Sequence, residues 1–166
     1  RNENPLGLAN DVLWEQMFHV PCEQQGVFVE WARFRSNAAK NGGAVSARGL
    51  RNTAITVKHA RFEHNRASGQ RGGAVAVSGV DVGLQIEDTD FTHNSAGRDA
   101  AANSVPGFGG GIAVEGQASA RMANIKVNQN VARGGGHGGF LYASFANEIV
   151  IQKGRIFNST SVSGSG

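Results

Sequence analysis

A four-residue motif returns along this chain at intervals close to 29 residues. Phe34-Arg35-Ser36-Asn37, Phe62-Glu63-His64-Asn65 and Phe91-Thr92-His93-Asn94 all read F-x-x-N. Val127-Asn128-Gln129-Asn130 is a weaker copy and Ile156-Phe157-Asn158-Ser159 a fifth, with 28, 29, 36 and 29 residues between successive starts. A second motif follows the first four copies: Gly42-Gly43-Ala44-Val45, Gly72-Gly73-Ala74-Val75, Gly109-Gly110-Gly111-Ile112 and Gly138-Gly139-Phe140-Leu141. Both series stretch at the same place, so residues 97–108 carry an insertion of about eight residues into an otherwise constant unit. Self-similarity at such a period marks repeats that cannot bury an apolar face alone and must stack to do so.

Each unit also carries alternating apolar pairs. Before the F-x-x-N motif stand Val27/Val29, Ile55/Val57, Leu84/Ile86, Ala120/Met122 and Ile149/Ile151; after the glycines stand Val45/Ala47, Val75/Val77, Ile112/Val114 and Leu141/Ala143. A spacing of two puts both members of a pair on one face of a strand. The unit therefore predicts about three short strands separated by turns, and 24 glycines against 3 prolines in 166 residues suit that pattern. One unit per coil, with coils about 4.8 Å apart, gives a single-stranded parallel β-helix of about five coils and roughly 24 Å in height. The strong handedness preference of parallel crossovers makes it right-handed.

Stacking turns matching letters into columns. Phe34, Phe62 and Phe91 become an inward aromatic stack continued by Val127 and Ile156, while Asn37, Asn65, Asn94 and Asn130 become a ladder of amides at a turn. Residues 1–26 lack both motifs and are expected to form an N-terminal cap or degenerate coil, with the β-helix over 27–166. Ser161 is followed by no cap signal, so the last coil is expected to leave an edge open to pairing.

The F-x-x-N and G-G-A-(I/L/V) motifs, together over about residues 27–161, resemble the passenger repeats of the chlamydial polymorphic outer-membrane proteins, an autotransporter family. That resemblance implies an extracellular, surface-displayed β-helix acting in adhesion or self-association. The chain departs from the family in having a single cysteine, Cys22, and no C-terminal membrane barrel. It starts at Arg1 and ends in Ser-Gly-Ser-Gly, as a processed protein or an excised piece would.

Chemistry is sparse. The net charge of +3 is too small an excess to imply nucleic acid, and no apolar run reaches the roughly 18 residues that would span a bilayer. The column before the Phe reads Arg33, Arg61, Asp90, Lys126 and Arg155. It should face outward, and its four cations form a basic strip that could hold an anionic glycan or an acidic surface of a partner protein. The acidic residues Asp81, Glu87, Asp88 and Asp90 are the candidates for the lyase or hydrolase chemistry found on other β-helices, but basic residues on adjacent coils are placed to neutralise them. His64 and His93 should stack, which supplies two metal ligands and no third. The Gly134–Gly139 run has no following P-loop Lys-Ser/Thr and reads as a turn. Asn158-Ser159-Thr160 is an N-glycosylation sequon. These readings point to no enzyme, cofactor or metal, and to self-association through coil ends, head to tail into a fibre, as the leading contact. A carbohydrate-active enzyme or glycan-binding module is the alternative.

Overall fold

The computed structural model describes residues 26–98 and 105–162. Within them the chain winds through about four turns of a parallel β-solenoid and contains no helix. The first rung holds β1 (Gly26–Glu30), β2 (Arg33–Arg35) and β3 (Ala38–Ala39). The second holds β4 (Val45–Lys58), β5 (Arg61–Glu63) and β6 (Arg66–Ala67), and the third β7 (Val75–Glu87), β8 (Asp90–Thr92) and β9 (Ser95–Ala96). The fourth comprises β10 (Ile112–Glu115), β11 (Ser119–Ala123), β12 (Lys126–Asn128) and β13 (Val131–Ala132). The fifth comprises β14 (Leu141–Ser144), β15 (Glu148–Gln152), β16 (Arg155–Phe157) and β17 (Thr160–Ser161).

Three sheets run up the molecule, and every strand pairs in parallel with its equivalent on the neighbouring rung. The register follows the repeat letter by letter. Phe34 lies opposite Phe62, Phe62 opposite Phe91, Phe91 opposite Val127 and Val127 opposite Ile156.

Three boundaries differ from the sequence reading. The expected cap over 1–26 lies outside the described residues except for Gly26, which already pairs with Ala54 as part of β1. Two of the expected strands are fused in β4 and in β7, which run through the intervening corner with one register shift between Arg48 and Leu50. The later rungs are shorter there and form separate strands, and all four rungs pass this corner through positive φ, at Asn52, Asp81, Gly116 with Gln117, and Phe145, so the left-handed turn does not set the later rungs apart. Finally, the segment 97–108 that carries the insertion of about eight residues keeps repeat positions at both of its ends. The Gly97 amide still bonds Ala67 O (3.0 Å) and Phe108 bridges both Arg71 and His137, so these residues keep their places in the coil. An antiparallel bridge between Arg98 and Val105 closes the base of the inserted loop.

The interior is a continuous apolar column. The Phe34 and Phe62 rings stack with centroids 4.7 Å apart and 7° between planes, and Phe62 and Phe91 do so at 4.9 Å and 3°. All three are buried, as are Ile55, Leu84, Ile86, Ile112 and Met122 from the first sheet. Full burial of each such side chain contributes about 1.5–3 kcal/mol.

At the corner after the Phe strand the chain buries asparagine. Asn37 Nδ2 donates to Asn65 Oδ1 (3.0 Å), Asn65 Nδ2 to Asn94 Oδ1 (2.9 Å) and Asn94 Nδ2 to Asn130 Oδ1 (2.9 Å). The same oxygens accept backbone amides: Asn37 N, Asn65 N and Asn94 N at 3.2, 3.0 and 3.0 Å. The Nδ2 atoms of Asn65, Asn94 and Asn130 also reach the Phe carbonyl of the preceding rung, at 3.0 Å from Phe34 O, 2.9 Å from Phe62 O and 3.0 Å from Phe91 O. A buried amide is tolerable only when its donors and acceptor are all matched, and this arrangement matches them. Ser159 ends the ladder, its hydroxyl lying 3.4 Å from Asn130 N.

The glycine pair opens the next corner, and its two members act differently. Gly72 has φ +57, a conformation that L side chains rarely adopt. Gly73 has an ordinary φ, but a Cβ there would run into the carbonyl oxygen of Gly110 on the rung beyond. The first glycine sets the turn and the second permits the close approach.

Candidate functional site

Outward-facing residues form columns as regular as those inside, and charge is distributed along them. In the strip before the Phe, Arg33 pairs with Arg61, Arg61 with Asp90, Asp90 with Lys126 and Lys126 with Arg155 across the ladder. The geometry brings the predicted cations into one line and engages the first two. Arg33 donates to Glu63 Oε2 through Nε (3.1 Å) and Nη2 (2.6 Å), and Arg61 Nε lies 3.8 Å from Asp90 Oδ2. Lys126 and Arg155 are exposed and form no ion pair among the described residues. The hydrogen bond from Arg33, more than any other influence, holds the Glu63 carboxyl below the usual carboxylate range. On the neighbouring sheet Lys58 donates to Glu87 (2.9 Å), and that bond raises its ammonium pKa.

Two further columns, whose members follow from the repeat register, consist of residues in the left-handed region, a backbone conformation that the motif spacing alone did not reveal. One is Trp31, His59, Asp88, Asn124 and Lys153, with φ between 48° and 56°. The other is Ser36, His64, His93, Gln129 and Asn158, with φ between 47° and 56°. Asn, Asp and His are the non-glycine residues that visit this region most readily, so their recurrence at fixed distances from the Phe was the available signal. His64 and His93 stack at 4.7 Å, as do Trp31 and His59 at 4.2 Å. Asn158 of the sequon stands exposed in its column.

The four acidic candidates do not gather. Glu87 is occupied by Lys58, Asp88 by Asn124 and, at 3.7 Å, by His59 Nδ1, and Asp90 by Arg61; Asp81 is exposed at a separate corner. Asp88 and Asp90 do share a shallow open groove of about 360 Å³ with Arg61 and Lys126. Among the described residues no group of three or more His, Cys, Asp or Glu side chains could hold a metal ion, and no helix is long and apolar enough to cross a membrane. The Gly134–Gly139 run lies in the turn region, where Gly134, Gly135 and Gly138 have positive φ and His137 pairs with Phe108.

The two ends of the column differ sharply. On the first rung Val29 and Phe34 are 2 % and 1 % exposed, whereas on the fifth Ile151 and Ile156 are 38 % and 48 % exposed. Their equivalents one rung earlier, Met122 and Val127, are buried. Among the described residues, strands β15, β16 and β17 each have a partner on one side alone. The fifth rung thus presents apolar side chains together with an unpaired backbone edge.

Comparison with known proteins adds no neighbour to this geometry: no family model, curated protein or solved structure matches the chain.

Proposed function

We propose that this chain is a non-catalytic structural β-helix, displayed outside the cell at a surface, that associates with a second copy of itself through its fifth rung. The observation that carries the reading is the exposure of Ile151 and Ile156 beside an unpaired strand edge, at places that are buried everywhere else in the stack. A free parallel edge with its core side chains uncovered favours addition of another chain, because pairing satisfies backbone groups and removes apolar surface from water in one step. The F-x-x-N and G-G-A-V repeats support the surface location through their likeness to autotransporter passengers.

Head-to-tail growth into a fibre would need the first rung uncovered as well. Burial of Val29 and Phe34 favours instead the meeting of two fifth rungs, an isologous contact that closes at a pair. Sedimentation of the purified chain over a concentration series tests this. Reversible dimers are expected, and Ile151→Lys/Ile156→Lys should yield monomers that keep the β-sheet circular dichroism. A wild-type chain that stays monomeric at every soluble concentration would contradict the proposal, and filaments in electron micrographs would replace the pair by head-to-tail stacking.

The groove holding Asp88, Asp90, Arg61 and Lys126 favours one second reading, a carbohydrate-active enzyme. Release of reducing or unsaturated ends from pectin or alginate, lost in Asp88→Ala, would establish that reading in place of the first.

A further inference from the structure

A deeper concavity lies away from the predicted strip, at the corner where the third sheet turns towards the first. It has a volume of about 890 Å³, and among the described residues its charged lining consists of Lys40, Arg48, Arg71 and Arg98, with no carboxylate. The coil itself assembles these cations. Gly69 N bonds Lys40 O (2.7 Å) and Gly97 N bonds Gly69 O (3.1 Å), so Lys40 and Arg98 sit on successive turns of one corner, two rungs apart. At about 4.8 Å per rung they span roughly 10 Å along the helix axis.

Neutralisation is incomplete in a specific way. Arg71 lies against Glu115 as an ion pair, yet its buried Nε has no hydrogen bond of good alignment. Lys40, Arg48 and Arg98 are exposed and form no ion pair among the described residues. Arg48 is steered by Asn41: with the amide oriented so that its nitrogen donates to Lys40 O (3.2 Å), its oxygen accepts from Arg48 Nη1 (3.1 Å). The floor is kept low by Gly69, where a Cβ would press on Lys40 O and Lys40 Cγ. The inserted loop supplies one wall through Arg98 and Val105.

We infer that this corner groove binds an anionic polysaccharide, through Lys40, Arg48 and Arg98. Three cations without acidic partners among the described residues, spread along the axis in an open groove, match a chain bearing carboxylates or sulfates better than one small anion. Guanidinium groups pair with such groups through parallel hydrogen bonds. Single-stranded nucleic acid is the other polyanion of this shape, but it is held by aromatic faces on which bases stack, and no aromatic residue lines this groove. The inference stands apart from self-association: the groove lies on the flank of the first three rungs, away from the fifth.

Calorimetric titration of the full chain with polygalacturonate and with a heparin oligosaccharide tests it, with neutral dextran, inorganic sulfate and oligo(dT) of matched charge as comparisons. One or both glycans should bind at physiological salt, weaken as salt rises, and bind at least tenfold more weakly to Lys40→Glu/Arg48→Glu/Arg98→Glu; Lys126→Glu/Arg155→Glu should bind as the wild type does. The monomeric Ile151→Lys/Ile156→Lys variant should bind unchanged, which separates this result from the fate of the dimer. Thermal melts verify that the groove variant is folded, and Arg98→Gln alone, which keeps a neutral polar side chain, should show a smaller loss in the same direction. Absence of binding to both glycans, equal binding of oligo(dT), or loss of affinity in the Lys126/Arg155 variant and not in the groove variants would overturn the assignment.

Discussion

Asn65 makes the strongest case for what one residue does in this molecule. Its amide nitrogen bonds Phe34 O and Asn94 Oδ1, and its oxygen accepts from Asn37, so one side chain ties three rungs together. Asn65→Leu leaves these buried groups unpaired and should destabilise the chain by about 1–3 kcal/mol in urea titration. Phe62, sandwiched between two rings and fully buried, should cost about 3–5 kcal/mol as Phe62→Ala in the same measurement. The Arg33–Glu63 bond gives a residue-scale pH effect. Because the folded Glu63 pKa is lowered, its stabilising contribution is present above the unfolded pKa and is lost as pH falls through the folded value. An NMR titration should find the Glu63 midpoint below the usual carboxylate range, and Arg33→Gln should move it upward. The Phe and Asn columns were legible because F-x-x-N recurs with unchanged letters. The column of Trp31, His59, Asp88, Asn124 and Lys153 was legible from the register as well, but its left-handed backbone was not, because Trp31, Asp88 and Lys153 share a backbone conformation and no side-chain type.

At the level of the strand and its turn, the irregular copies of the motif explain one another. The third letter of G-G-A-V reads Ala44, Ala74, Gly111 and Phe140 up the stack, while the aromatic column reads Phe34, Phe62, Phe91 and Val127. Phe140 tilts its ring onto Phe91, with centroids 5.5 Å apart at 59°, and so occupies space that a fourth Phe would have taken at Val127. Gly111 makes the room, since a Cβ there would meet Phe140 Cδ2 at 2.6 Å. Read as sequence, G-G-G-I and G-G-F-L are degenerate copies; packed, they are a matched pair. Gly111→Ala should therefore destabilise the chain, and a double-mutant cycle with Phe140→Ala should show coupling of about 0.5–3 kcal/mol, because the clash vanishes when the ring does. The fused strands β4 and β7 were illegible for a related reason: alternation locates the apolar pairs on either side of a corner but carries no information on whether the corner itself keeps its ladder bonds. The insertion was located by its effect on both motif intervals, and its limits became visible only through the pairing of Phe108 with Arg71 and His137.

For the whole molecule the governing fact is registration: each residue sits over its counterpart one repeat away, which makes a repeat sequence equivalent to a set of axial columns. The open fifth rung, the ion-paired strip and the cationic corner groove are all consequences of where the columns end or change character. The groove was not legible, since Lys40, Arg48 and Arg98 occupy different letters of the repeat and meet only after the coil closes. Registration is tested most directly by aromatic NOE spectroscopy on chain labelled at phenylalanine. Cross-peaks are expected between the rings of Phe34 and Phe62 and between those of Phe62 and Phe91, which are 4.7 and 4.9 Å apart. None is expected between Phe34 and Phe91, which Phe62 separates. Missing neighbour cross-peaks, or the close Cα-proton contacts of antiparallel pairing between these strands, would contradict the stack and everything that rests on it.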